Sequence, residues 1–158
     1  MASAQAVEKI FANNAQELLV HDPDSTSAVI VTPDGGTTEQ WRDMRDFNNF
    51  SVTAMTSALT GTGVTLVEIV GNTASDGSGT TVQIKTSGAV AADALGDQVS
   101  LECTAEELRQ EGNDNSVDLR YVAARITVEN IADEASVLYN RCGARHATSG
   151  LTAATVIA

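Results

Sequence analysis

The feature that most constrains this chain is a succession of short alternating runs, with turn residues about every eight to twelve positions. Thr81-Val82-Gln83-Ile84-Lys85-Thr86 alternates cleanly, so Thr81, Gln83 and Lys85 face solvent while Val82 and Ile84 face inward. Gln98 to Cys103 repeats the pattern with Val99, Leu101 and Cys103 inward. Phe50 to Ala58 sets Phe50, Val52, Ala54 and Thr56 on one side, and the β-branched run Ala28 to Thr32 suits a pleated surface. Val64 to Val70 is apolar on both alternations, the mark of a central strand covered on both faces. Leu119 to Glu129 reads as the longest strand, and Ala135 to Arg141 as one more.

Between these runs lie the residues that turn a chain. His21-Asp22-Pro23-Asp24-Ser25 and Pro33-Asp34-Gly35-Gly36 combine a fixed proline φ with side chains that bond locally or permit positive φ. Gly61-Thr62-Gly63, the polar stretch Gly71 to Thr80 and the small-residue stretch Ala89 to Asp97 separate later strands. One short helix is expected from Thr104 to Gln110, because Thr104 and Glu107 form a capping box, followed by an acidic turn from Glu111 to Asp118. A strand–helix rhythm is absent, which disfavours a parallel doubly wound sheet.

The expected fold is therefore mainly β: an antiparallel β-sandwich of jelly-roll type over residues 25–143, with a short helix and extended terminal arms. Val64, Leu66, Ile69, Val82, Ile84, Val99, Leu101, Tyr121, Ile126 and Val128 are its expected core. Residues 144–158 form the C-terminal arm. Residues 1–24 form an N-terminal arm or short helix, because Val7, Ile10, Phe11, Ala15, Leu18 and Leu19 make a helical stripe. Asn13 and Asn14 interrupt it, so the expectation is a short helix or arm first and an extended piece from Gln16 to Val20. Two roles are open to this segment. It crosses to a neighbouring subunit or shell through Ile10, Phe11, Leu18 and Leu19, or it packs on its own domain as an edge strand.

Charge narrows the function classes. The 158 residues carry a formal net charge of −12, and 42% are apolar, enough for one cored domain. Such a chain repels a phosphate backbone and anionic membrane surfaces, so neither nucleic acid nor membrane is an expected partner. No apolar run is long enough to span a bilayer, and the first residues lack the basic start and apolar block of a secretory signal. No Gly-x-Ser-x-Gly or phosphate-binding loop occurs, and Gly61-x-Gly63 lacks the third glycine of a dinucleotide fingerprint. His21 and His146 sit beside a turn and in the tail, where exposed histidines are expected. Asp22/Asp24, Asp43/Asp46 and Asp114/Asp118 offer oxygen donors, but none fits a calcium loop. Cys103 and Cys142 lack the spacing of a zinc site, and a disulfide requires their Cα atoms within about 7 Å. Trp41, with Tyr121 and Tyr139, is thin support for a sugar platform, and Trp41 is expected to cap a core. No enzyme activity, metal or cofactor is expected.

Several stretches carry a family resemblance. Phe11-Ala12-Asn13-Asn14-Ala15 with Leu18 leads into Ala28-Val29-Ile30-Val31, as at the start of many tailed-phage structural proteins. Trp41-Arg42-Asp43-Met44-Arg45-Asp46, Phe50-Ser51-Val52 and Leu59-Thr60-Gly61-Thr62-Gly63-Val64-Thr65-Leu66 follow, then Leu119-Arg120-Tyr121-Val122-Ala123-Ala124-Arg125 and Arg141-Cys142-Gly143-Ala144-Arg145-His146. Over residues 10–158 the chain resembles small β-rich proteins of phage head gene clusters. The resemblance implies a capsid decoration or cement protein on the virion surface, assembled in the host cytoplasm. Its implied partners are the major capsid protein and copies of itself, with a trimer preferred. A tail or vertex structural protein and a carbohydrate-binding jelly-roll module are the alternatives.

Overall fold

Alternation in the sequence becomes nine strands and one helix in the computed structural model, which describes residues 15–21, 28–31 and 41–144. The strands are β1 (Ala15–His21), β2 (Val29–Val31), β3 (Arg42–Asp43), β4 (Phe47–Ala58), β5 (Val64–Asn72), β6 (Thr81–Thr86), β7 (Gln98–Thr104), β8 (Tyr121–Val128) and β9 (Glu134–Ala144). The helix α1 (Ala105–Asp114) lies between β7 and β8. Sheet A has the order β1-β9-β4-β7, and sheet B the order β2-β8-β5-β6 with β3 also on β8. Every pairing is antiparallel. The chain changes sheet at every connection between successive strands except β2–β3 and β5–β6. That strand order is the jelly roll, as the sequence pattern implied.

The core is the space between the inward rows. Val52 stands opposite both Leu101 and Tyr139, and Ala54 opposite Val99 and Val137, while sheet B faces them with Val67, Ile69, Val122, Ala124 and Ile126. Tyr139 reaches across. Its ring meets Phe50 edge-on at 5.0 Å, its hydroxyl accepts from Ala124 N–H at 2.6 Å, and it donates to Val31 C=O at 2.7 Å. Ala124 and Val31 are partners in the β2–β8 ladder, so a hydroxyl from sheet A is interposed in the ladder of sheet B. Burial raises the phenol's pKa above its usual value, which keeps the donor proton in place.

Five core expectations hold as buried residues: Val64, Ile69, Ile84, Ile126 and Val128. Val82, Val99 and Leu101 pack against the cluster while partly exposed. Leu66 differs. A register shift between Val64 and Leu66 reverses the alternation, so Val67 takes the inward place and Leu66 is half-buried. Tyr121 also differs, packing on the far side of sheet B with Trp41, Val70, Ala123 and Ile30. Trp41 is 5% exposed there, a cap on an apolar patch as expected. The longest strand is β4, with 12 residues: upstream of the inward row Phe50, Val52, Ala54 and Thr56 it continues through the exposed Asn48 and Asn49 to the buried Phe47. The capping box forms as expected, with Glu107 N–H donating to Thr104 Oγ1 at 3.1 Å and Thr104 N–H to Glu107 Oε2 at 2.8 Å. The helix runs on to Asp114, through half of the expected acidic turn, with Leu108 and Gly112 buried.

The segment Ala15–His21 is an edge strand of the sandwich itself, in register with β9 from Ala15↔Arg141 to His21↔Ala135. Its extended form matches the expected piece from Gln16 to Val20, and the sandwich begins at residue 15 rather than 25. At the other boundary β9 runs to Ala144. Ile10 and Phe11, the turns at 22–25 and 33–36, and the tail from 145 lie outside the described residues.

The connections β4–β5 and β8–β9 are tied by one carboxylate. Asp133, fully buried, accepts from the N–H groups of Thr60 (2.5 Å), Gly61 (2.8 Å), Gly63 (3.0 Å) and Asn130 (3.2 Å). Gly63 sits at φ +69°, and a Cβ there would stand 2.3 Å from Ala92 C=O, so glycine is required. Burial alone would raise the Asp133 pKa, but the N–H bonds of Thr60, Gly61 and Gly63 together hold it below its usual 3.8. Its contribution to stability is therefore full above about pH 3.8 and is lost as pH falls through the lower folded value. Asp133→Asn should cost about 1–3 kcal/mol in urea unfolding at neutral pH. It should also flatten the acid limb of the stability profile.

Tyr139→Phe keeps the ring but leaves Ala124 N–H and Val31 C=O without their bridge. It should destabilise by about 1–3 kcal/mol. Ile126→Ala should cost roughly 2–5 kcal/mol, and Leu66→Ala clearly less, when both are measured by the same unfolding transition.

Candidate functional site

The outward positions of sheet A form a surface unlike the rest of this acidic chain. Strand register sets Leu18, Leu138, Thr53 and Ser100 in one row across four strands. Gln16, Asn140, Ser51 and Glu102 form the next row, and Ser136, Met55 and Gln98 lie on the other side of the leucine row. Leu18 is 72% exposed and Leu138 38%. Thr53 and Ser100 join hydroxyls at 2.9 Å. The acids of this face, Glu102 and Glu134, stand at its margins, on the edge strand β7 and at the first residue of β9. Inside those margins the described side chains are amides, hydroxyls, a thioether and the two leucines.

The four residues expected to make a contact separate here. Leu18 lies on the outer face of β1, cross-strand from Leu138, whereas Leu19 points inward and is 8% exposed in the core. The structure thus assigns Leu19 to packing within its own domain. Leu138 lies inside the expected strand Ala135 to Arg141 and faces out. The signal was present: Ala135, Val137 and Tyr139 are the inward set, so a leucine between them must face out.

Charge is gathered elsewhere, at one end of the sandwich. Glu17 pairs with Arg42, and Arg141 lies 4.0 Å from its other oxygen. Arg120 grips Asp43 through both carboxylate oxygens, with Nε at 3.0 and 3.1 Å. Burial alone would raise the Asp43 pKa, and the hydrogen bonds from Arg120 and from Arg45 N–H outweigh it and hold the carboxyl low. Arg141 donates to Asp43 C=O at 3.1 Å and lies over Phe47 at 4.7 Å. Asp43 is thus committed to arginine, not to an ion shared with Asp46. Among the described residues, no group of three or more His, Cys, Asp or Glu is arranged to hold a metal. His21's side chain, Asp22, Asp24 and His146 lie outside them.

A cleft opens on the same sheet beside the start of α1. It encloses about 680 Å³ and is lined by Asn49, Ser51, Glu102, Thr104, Asn140 and Cys142, with the Lys85–Glu107 pair at its rim. Asn140 Oδ1 is buried there without a hydrogen-bond partner. Cys103 and Cys142 flank β4 on opposite sides, paired with Phe50 and Asn49 respectively. Two strand spacings, about 10 Å, separate them, and they face opposite sides of the sheet, so no disulfide forms. Burial pushes the Cys103 thiol up to about 12, which keeps it protonated and inert.

Strand order and outer face together define a jelly-roll β-sandwich module. No protein-family model matches the chain, and no curated protein sequence matches it. Among solved structures, it is similar to a subunit of the disulfide-linked pili that form Bacillus endospore appendages. Identity is 16%, with 82% of this chain and 88% of that chain covered and a TM-score of 0.38. Infectious bursal disease virus VP2, from a subviral particle, shows 10% identity over 82% of this chain and 32% of its own, with a TM-score of 0.38. The CBM22-1–GH10 modules of Clostridium thermocellum xylanase 10B, complexed with xylohexaose, show 10% identity over 85% of this chain and 26% of theirs, with a TM-score of 0.39. The chain spans about a third of the VP2 chain and a quarter of the xylanase chain.

The two thiols should be distinguishable by alkylation. In the native protein Cys142, half-buried, should react, and Cys103 only after unfolding. Mass spectrometry that finds both modified at equal rates would contradict the burial of Cys103.

Proposed function

We propose that this chain is a structural subunit of a tailed-phage particle, a capsid decoration or cement protein that docks on the shell through the outer face of sheet A. The observation that carries the reading is the uncharged centre of that face in a chain of formal net charge −12. Subunits of one sign repel, so a repeated contact favours the surface whose acids stand only at the margins and where leucines lose water on docking. Leu18 and Leu138 supply the apolar part, and the amides and hydroxyls around them supply hydrogen bonds. The acidic remainder disfavours binding to packaged DNA. The sequence resemblance to phage head proteins supports the same reading. In it the protein is not an enzyme, takes no cofactor, has the major capsid protein as its partner and resides on the virion surface after assembly in the host cytoplasm.

One observation favours a second reading. The cleft beside α1 holds an unpartnered acceptor, Asn140 Oδ1, among polar side chains that include Asn49, Ser51, Thr104 and Glu102. A hydroxylated ligand would satisfy it, as in a carbohydrate-binding module.

Both readings are testable on particles of the phage that carries the gene. Quantitative mass spectrometry should find the protein at a copy number on the scale of the shell subunits. A few copies per particle would place it at a vertex or tail instead. Thr53→Glu sets a charge at the centre of the outer face and should strip the protein from particles while its melting transition stays cooperative. Unchanged occupancy would overturn docking by this face. Binding to a glycan array without association with particles would favour the second reading.

A further inference from the structure

A sheet ends in strands whose outer N–H and C=O groups lack a sheet partner, and folded proteins guard such edges with short strands, charges, bulges or covering elements. Three of the four edges of this sandwich are guarded. In sheet B, β2 has three residues and β3 two. At the other side of that sheet, β6 carries Lys85 and faces a register shift between Ile69 and Val70. In sheet A, β7 carries Glu102, and α1 packs against both β6 and β7. The fourth edge is β1. Its seven residues run in unbroken register with β9, without a bulge, and contain neither proline nor lysine. Its acid, Glu17, is drawn back to Arg42 and Arg141. Among the described residues nothing pairs with its outer side.

We propose that β1 pairs edge to edge with β1 of a second copy of this chain, antiparallel about a twofold axis, joining two four-stranded A sheets into one continuous sheet. This deepens the reading of the chain as a repeated structural subunit and rests on it. A free strand edge takes another free edge, and among the described strands only β1 is long and unguarded in both copies. The contact is therefore isologous, and it yields a dimer rather than the trimer implied by resemblance. Charge agrees. Two bodies of net charge −12 repel, and the outward side chains of Gln16 and Leu18 bring no acid to the seam. Leu18, 72% exposed in one copy, meets its twin and extends the apolar row that begins at Leu138. The joined sheet doubles the neutral face.

Sedimentation of the full chain over a wide concentration range is the test. A monomer–dimer equilibrium is expected, and added salt should shift it toward dimer by screening the like charges. Leu18→Glu places two carboxylates at the seam and should weaken the dimer by about tenfold or more. Leu95→Glu adds the same charge at another exposed leucine, 66% exposed, and should leave the equilibrium within about twofold, apart from the general repulsion. Amide hydrogen exchange over residues 15–21 should slow as concentration rises. A monomer at all concentrations, a dimer indifferent to Leu18→Glu, or exchange in β1 independent of concentration would each overturn the edge contact. Occupancy on particles is read separately. A dimer that never associates with particles would remove the virion reading and leave the edge contact standing.

Discussion

The sandwich depends on a hydroxyl that belongs to one sheet and bonds in the other. Tyr139 projects from the second strand of sheet A and places its oxygen between Ala124 N–H and Val31 C=O. Those two groups would otherwise be the ladder bond of a three-residue strand, β2, too short to hold itself. Both sides of the hydroxyl are committed, one as donor and one as acceptor, and its surroundings exclude water. Such a bond has a single acceptable geometry, because a buried unpaired N–H or C=O costs about 1–3 kcal/mol. It therefore sets the spacing and slide of the two sheets, which apolar contacts alone would leave free to adjust.

Once the sheets are set, the loops follow. Asp133 gathers the N–H groups of Thr60, Gly61 and Gly63 at one end, and paired arginines and carboxylates close the other. The jelly roll leaves the outer side of sheet A to solvent, and its centre carries no charge, with Glu102 and Glu134 at the margins. This division is the physical basis of the proposed role. An acidic body stays soluble and avoids DNA, and a charge-poor sheet is the surface on which a contact costs least desolvation of ions.

Much of the fold was legible in the residues. The period of two in Thr81 to Thr86 and Gln98 to Cys103 gave both strands within a residue of their ends, and Thr104 with Glu107 marked the start of α1. Phe50, Val52, Ala54 and Thr56 sit on the buried side as their alternation required. Leu66 was misplaced because a bulge adds one residue to a strand without any local composition that announces it. Tyr121 was misplaced for another reason. Alternation from Ile126 and Val128 already sets Tyr121 on the opposite face of β8, with Ala123, Arg125 and Thr127, and Trp41 covers the Tyr121 and Ala123 end of that face as a second small core, which no local pattern announces. The site was half legible: Leu18 was named for a contact, while its partner Leu138 and the neutral rows beside it were not.

By itself, the sequence determined a mainly β chain of jelly-roll type, its turns, its capped helix and an acidity that sets phosphate backbones aside. These are local or summed properties, carried by neighbours in the chain. Tertiary structure alone decided that Leu18 and Leu138 stand side by side, that Cys103 and Cys142 turn to opposite faces, and that β1 ends its sheet among the described strands. Each of these depends on which strands become neighbours. That choice is made by closing loops of many residues around a shared core, with Tyr139 as its fastening, and no window of sequence contains it.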